Sequence, residues 1–129
     1  MSLKANKEFI RHYLEDVCSQ PKTEELLRKY ITDESLIEHC LTSEAAFPMY
    51  KIEIEEMIAE GDLVSVRGTW TGTHQGIFMN IPGTGKTFSL PIFVTYQVVG
   101  GMIVDHWMII DQNEFLRQIS IPQAQQQGG

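Results

Sequence analysis

Asp111 and His74 are the side chains whose type and setting best suit proton transfer. Asp111 closes the run Met102-Ile103-Val104-Asp105-His106-Trp107-Met108-Ile109-Ile110-Asp111. Strict strand alternation puts Ile103, Asp105, Trp107, Ile109 and Asp111 on one face. A carboxylate beside Trp107 and aliphatic side chains loses solvation, and its pKa rises toward the range of a general acid or base. The competing role for the same residue is a strand-end cap on the turn that Gln112-Asn113 begins. His74 shares a face with Trp70 and Gly72, and the flanking Gly72 and Gly76 leave room for a ligand; the competing role is a loop histidine bonded to backbone. His39 follows an apolar helical pair, where it either closes a cavity wall or simply packs. His106 falls on the face opposite Asp111, which assigns it a structural or interface role.

Other chemistries find less support. Pro82-Gly83-Thr84-Gly85-Lys86-Thr87 looks like the end of a phosphate-binding loop, but the first glycine is missing at Asn80. A phosphate loop also needs a following helix, whereas Phe88-Ser89-Leu90-Pro91-Ile92-Phe93-Val94 reads as a strand. His12, His39, His74 and His106 show no metal-ligand spacing, so no metal or other cofactor is expected. No GxSxG elbow occurs. The net charge of −7, with ten basic residues scattered among seventeen acidic ones, argues against nucleic acid. Cys18 and Cys40 lack CxxC spacing and read as free buried thiols of a cytoplasmic protein. No apolar run is long enough to span a bilayer, and no membrane partner is expected.

The elements that must position these residues are helices first, strands after. Phe9, Tyr13, Leu14 and Val17 recur at helical spacing, with Asn6 as N-cap and Pro21 as stop. Thr23 caps a second helix carrying Leu26, Leu27, Tyr30 and Ile31. Thr32 begins a short third helix with Leu36, Ile37 and Cys40 inward. After Pro48 the period becomes two: Ile52, Ile54 and Ile58 alternate with acids, Glu60-Gly61-Asp62 turns, and Leu63 to Trp70 returns as a hairpin. A glycine-rich connection leads to a long strand from Thr87 to Val99, and Gly100-Gly101 turns into the run from Met102 to Asp111. The order implies an α+β fold, with N-terminal helices packed on a curved antiparallel sheet. Residues 1–122 are expected to form a single domain, and 123–129 a tail without structure.

Taken in series, several segments resemble the SnoaL-like polyketide cyclase family of the nuclear transport factor two-like superfamily. They are Ala46-Phe47-Pro48, Met57-Ile58-Ala59-Glu60-Gly61-Asp62, Gly72-Thr73-His74-Gln75-Gly76, Ile81 to Lys86, the Gly101–Asp111 hairpin and Gln118 to Pro122. The resemblance covers Asn6 to Pro122. It implies a cone with an internal pocket between sheet and helices, and ring closure of a polyketide ester by intramolecular aldol condensation without metal or organic cofactor. It further implies an essential aspartate on the last strand, matched by Asp111, and histidines at the positions of His74 and His39. Two departures stand out. Only Cys40 to Glu44 separate His39 from Ala45-Ala46-Phe47-Pro48, where the resemblance implies a further helix, so a pocket wall is expected to be shortened. Met49 stands where relatives often carry Asp.

The combined expectation is a cofactor-independent acid/base enzyme on a small, apolar, carbonyl-containing substrate. Asp111 removes a proton, His74 or a backbone donor holds the enolate oxygen, and Tyr13, His39, Trp70, Phe78 and Trp107 contact the substrate. The alternative is a non-catalytic module that holds a hydrophobic small molecule in the same pocket. A homodimer is expected as well. Met102, Val104, Met108 and Ile110, with His106 among them, would form a second apolar face on the last strand that one set of helices cannot cover.

Overall fold

The computed structural model of the chain describes residues 2–120; the stretch 123–129 expected to lack structure lies outside them. Helix α1 spans Leu3–Val17 and lays Ile10, Tyr13, Leu14 and Val17 into the core. Its N-cap is Ser2, whose hydroxyl accepts from the Ala5 N–H, and not Asn6, which is buried one turn further on. Thr23 caps the short helix α2 (Glu24–Leu27) as expected. Helix α3 (Glu34–Ala46) begins at Glu34 and not at Thr32, because the Asp33 carboxylate caps it by reaching the N–H groups of Ser35 and Leu36. It runs unbroken to Ala46, longer than the short helix the sequence suggested.

Four strands follow: β1 (Lys51–Glu60), β2 (Leu63–Thr73), β3 (Thr87–Val99) and β4 (Met102–Ile109). They form one antiparallel meander in the order β1-β2-β3-β4. Thr87 opens β3 as a strand directly after the glycine-rich loop. A last helix, α4 (Gln112–Ile119), buries Phe115 and Ile119 against the sheet. The fold is α+β, with helices against one face of an open sheet, and no described helix is long and apolar enough to cross a membrane.

Two bulges decide which side chains face inward, because one extra residue in a strand inverts the alternation beyond it. In β1 the register shifts between Ile54 and Glu56. Ile52 and Ile54 face the helices, but Met57 and Ala59 then take the inner positions and Ile58 turns to solvent. In β4, Val98 pairs with Ile103 while Gln97 pairs with Asp105, so Val104 is the extra residue. Ile103 is buried, and beyond the bulge His106 and Met108, opposite the buried Tyr96 and Val94, take the inner face. Trp107 and Ile109 therefore point outward, at 53% and 72% exposure. Strict alternation exchanges the two faces beyond the bulge.

The core is in two parts. Helices α1 to α3 pack on Val64, Val66, Val94, Tyr96 and Val98. At the other end of the sheet Phe47, Trp70, Phe88 and Phe115 form an aromatic cluster, with centroid separations of 4.6 Å for Trp70–Phe88 and 5.1 Å for Phe47–Phe88. The glycine-rich loop is pinned to the end of α3 by the N–H groups of Gln75 and Gly76, which both donate to the Ala46 carbonyl. A Cβ at Gly76 would lie 2.2 Å from the Ala45 carbonyl oxygen, so only glycine allows this approach.

Candidate functional site

A cavity of about 360 Å³ opens at the seam between the two core clusters. Each wall comes from elements already described. Tyr13, Leu14 and Val17 come from α1, and one face of α3 supplies Leu36, His39, Cys40 and Ser43. The sheet supplies Ile52, Trp70, Ile92, Val94, Tyr96 and Met108, and Gln112 and Phe115 of α4 close the far side. Tyr50 and Phe78 also line it, with Cys18, Ile109 and Ile110. Four of the expected contacts, Tyr13, His39, Trp70 and Phe78, are therefore brought together. Among the described residues, His39 is the one titratable side chain besides tyrosine and cysteine on this wall, and no Asp, Glu, Lys or Arg lines it.

The other expected residues lie elsewhere. Trp107 does not line the cavity, because the Val104 bulge turns it to the outer face of the sheet. Asp111 is exposed and serves as the N-cap of α4, its Oδ1 accepting from the Glu114 N–H at 3.0 Å. Its chain neighbours Ile110 and Gln112 reach the lining, so Asp111 stands at the rim. His74 is 0% exposed but also off the lining. Its Nδ1 lies 3.2 Å from the Thr84 hydroxyl, its ring packs 5.7 Å from Phe47, and its Nε2 has no partner. Its backbone bonds Lys86 and Gly85, so His74 anchors the glycine-rich loop.

The cavity's polar groups divide by depth. Tyr13, Cys40, Tyr50 and Tyr96 are buried. Burial, reinforced by the neighbouring Cys40, pushes the Tyr13 and Tyr50 phenols well above their ordinary pKa, and burial raises Tyr96 likewise. Burial also raises the Cys40 thiol, against hydrogen bonding to Tyr50 and Tyr13, and raises Cys18, whose sulfur accepts the Ile52 N–H. At neutral pH all five are protonated, so they donate hydrogen bonds and are poor nucleophiles. His39 differs. It is open to solvent at the mouth, yet the protein around its ring lowers its pKa by desolvation first and by the neighbouring His106 second. Its imidazole is neutral at physiological pH and able to accept a proton.

Behind the mouth, His106 Nδ1 lies 2.7 Å from Asp33 Oδ2, joining β4 to the start of α3. Burial pushes the Asp33 carboxyl up, but His106 and the capping N–H groups outweigh it and hold it below the usual range. Asp33, Asp105 and His106 bring ligand atoms within 4.8 Å of one another. Of these, both Asp33 oxygens are engaged in the helix cap and the His106 bond.

The arrangement is thus a largely apolar chamber with neutral donors inside and one free imidazole at its mouth, framed by helices on a meander sheet. Other proteins share that frame. AclR from Streptomyces galilaeus matches with a TM-score of 0.78 at 22% identity, over 98% of this chain and 90% of its own. IdmH from Streptomyces antibioticus matches with a TM-score of 0.71 at 26% identity, over 88% of this chain and 96% of its own. A SnoaL-like polyketide cyclase from Agrobacterium tumefaciens matches with a TM-score of 0.72 at 19% identity, over 92% and 98%. No curated protein sequence matches the chain. The model of one family, described as SnoaL-like polyketide cyclase, matches residues 4–119. That match takes in every element from α1 to α4 and every wall of the cavity, and on it the chain belongs to the SnoaL-like polyketide cyclase family.

Proposed function

We propose that the protein is a cofactor-independent acid/base enzyme acting on a compact, largely apolar, carbonyl-containing molecule held in this cavity. The observation that carries the reading is the free imidazole of His39 at the mouth of an otherwise uncharged chamber. The imidazole takes a proton from the carbon next to a carbonyl, and the C–H electrons move to the carbonyl oxygen as an enolate. In an intramolecular aldol step the enolate carbon then attacks a second carbonyl of the same molecule. The new C–C bond leaves an alkoxide, which takes the proton back from the imidazolium. About 360 Å³ is near the lower end of ligand-pocket sizes, roughly 300–1,000 Å³, which favours a small substrate over a large polycycle. That no carboxylate of the described residues lines the cavity favours a second reading, a module that binds a hydrophobic molecule without turning it over.

Proton exchange separates the two. In D2O the protein is expected to speed deuterium incorporation next to the carbonyl of 2-tetralone, read by NMR, well above buffer alone. Binding of 2-tetralone with exchange at the buffer rate would leave only the binding module.

We also propose a homodimer through the outer face of the sheet, with a patch that differs from the sequence expectation. Met108 packs inward, against the core and not against a partner. The outer face instead carries Phe93 opposite Ile109, with Trp107 beside them. These three are 50%, 72% and 53% exposed and contiguous, the kind of surface that monomers usually cover. Light scattering is expected to give twice 14.7 kDa for the wild type and 14.7 kDa for Phe93→Lys. A wild-type mass that stays at 14.7 kDa on concentration would rule out the dimer.

A further inference from the structure

The inner end of the cavity gathers more hydrogen-bond donors than the fold needs. Tyr13 comes from α1, Cys40 from α3, Tyr50 from the turn before β1, and Tyr96 from β3. Four separate segments thus bring three phenols and a thiol onto one stretch of wall. The rings are held firmly: Tyr13 meets Tyr96 edge-on at 5.8 Å, and Lys22 sits 4.2 Å over the Tyr50 ring. The hydroxyls are not held in the same way. The Cys40 thiol neighbours the Tyr13 and Tyr50 phenols, and among the described residues Tyr96 has no hydrogen-bond partner. Sulfur is a weak acceptor, and none of the three hydroxyls is among the sealed, unpartnered atoms, which are Asn6 Oδ1 and His74 Nε2, so the phenols face the cavity they line. A ligand oxygen arriving here would meet donors already desolvated, rigid and weakly occupied.

We propose that this end of the cavity is an oxygen-binding subsite, in which the Tyr13, Tyr50 and Tyr96 hydroxyls donate to a phenol, enol or ketone oxygen of an apolar ligand. The inference rests on reading the cavity as the ligand site, and it sets the ligand's orientation. The oxygen-bearing end lies against the tyrosines, and the apolar skeleton lies along Trp70, Ile92 and Phe115. If the same oxygen becomes an enolate during turnover, the donors strengthen as charge develops on it. The raised phenol pKa values keep the protons on the protein, so the tyrosines bind the oxygen without surrendering a proton to it.

Calorimetric titration with 2-naphthol and with naphthalene tests this. The two share a ring system and differ in the hydroxyl. Tyr13→Phe and Tyr50→Phe are each expected to weaken 2-naphthol by roughly fivefold, the worth of one net hydrogen bond, while naphthalene changes by less than about twofold. Tyr96→Phe, which removes a hydroxyl that bonds nothing in the protein, is the variant least exposed to folding effects and is expected to behave alike. Equal losses for both probes, or no loss for either, would overturn the subsite while leaving the cavity a binding site. Failure of the wild type to bind either probe would overturn the cavity reading itself, and the subsite with it.

Discussion

Glu44→Ala is expected to cost about 3–5 kcal/mol of unfolding free energy, the range for removing one partner of a buried ion pair. The Lys22 side chain is 0% exposed and its ammonium lies 3.1 Å from Glu44 Oε1. Its remaining contacts are the Gln20 carbonyl at 3.4 Å and the face of Tyr50 at 4.2 Å. Neither replaces a carboxylate, so alanine leaves a desolvated charge behind. Glu44 also does a second job. Its Oε2 accepts the N–H of Met49, a residue held at φ +65° in the left-handed region that side chains disfavour. One carboxylate therefore ties the segment before α2, the last turns of α3 and the turn into β1. A loss of this size should lower Tm by on the order of 10 °C. The paired change Lys22→Met with Glu44→Leu is expected to recover most of it, because neither charge then remains buried. Urea unfolding of the three variants checks both statements. A loss under about 1 kcal/mol for Glu44→Ala, in the range of an exposed pair, would show that Lys22 reaches water instead.

Much of this molecule was legible in its sequence, and the exceptions have common physical causes. The α1 stripe and the unbroken alternation from Phe88 to Val98 are patterns of constant period, and both elements lie where expected. The motif series also placed the chain in its family. What failed was phase. Nothing in Val104 or Glu55 announces an extra residue, yet each bulge inverts the faces beyond it, and Trp107 left the cavity on that account. Helix α4 carries its own signals in the sequence, with Asp111 as cap, Glu114 three residues on, and Phe115 with Ile119 at helical spacing. They favour the competing role already open to Asp111, the cap, over the strand carboxylate. No motif marks Tyr50, Cys40 or Ser43, yet Leu36, His39, Cys40 and Ser43 fall on one helical face, and that stripe carries Cys40 and Ser43 to the cavity.

These shifts in position move the expected base from Asp111 to His39, and the consequence for turnover is large. In the exchange assay, His39→Gln is expected to lower the rate by roughly 10²–10⁴, the usual contribution of a general base. Asp111→Asn is expected to change it by less than about tenfold. The comparison is clean because asparagine caps a helix about as well as aspartate, so α4 and the walls formed by Gln112 and Phe115 should stay in place. The pH profile gives a second reading. A base works when deprotonated, and burial together with His106 lowers the His39 pKa. The wild-type rate should therefore rise with pH below the ordinary histidine value of about 6.5 and be level at neutral pH. His39→Gln should remove that rise, whereas a merely structural role would lower the rate without changing the profile. If Asp111→Asn instead abolishes exchange while His39→Gln retains it, the proton leaves at the rim of the cavity, through the carboxylate that caps α4.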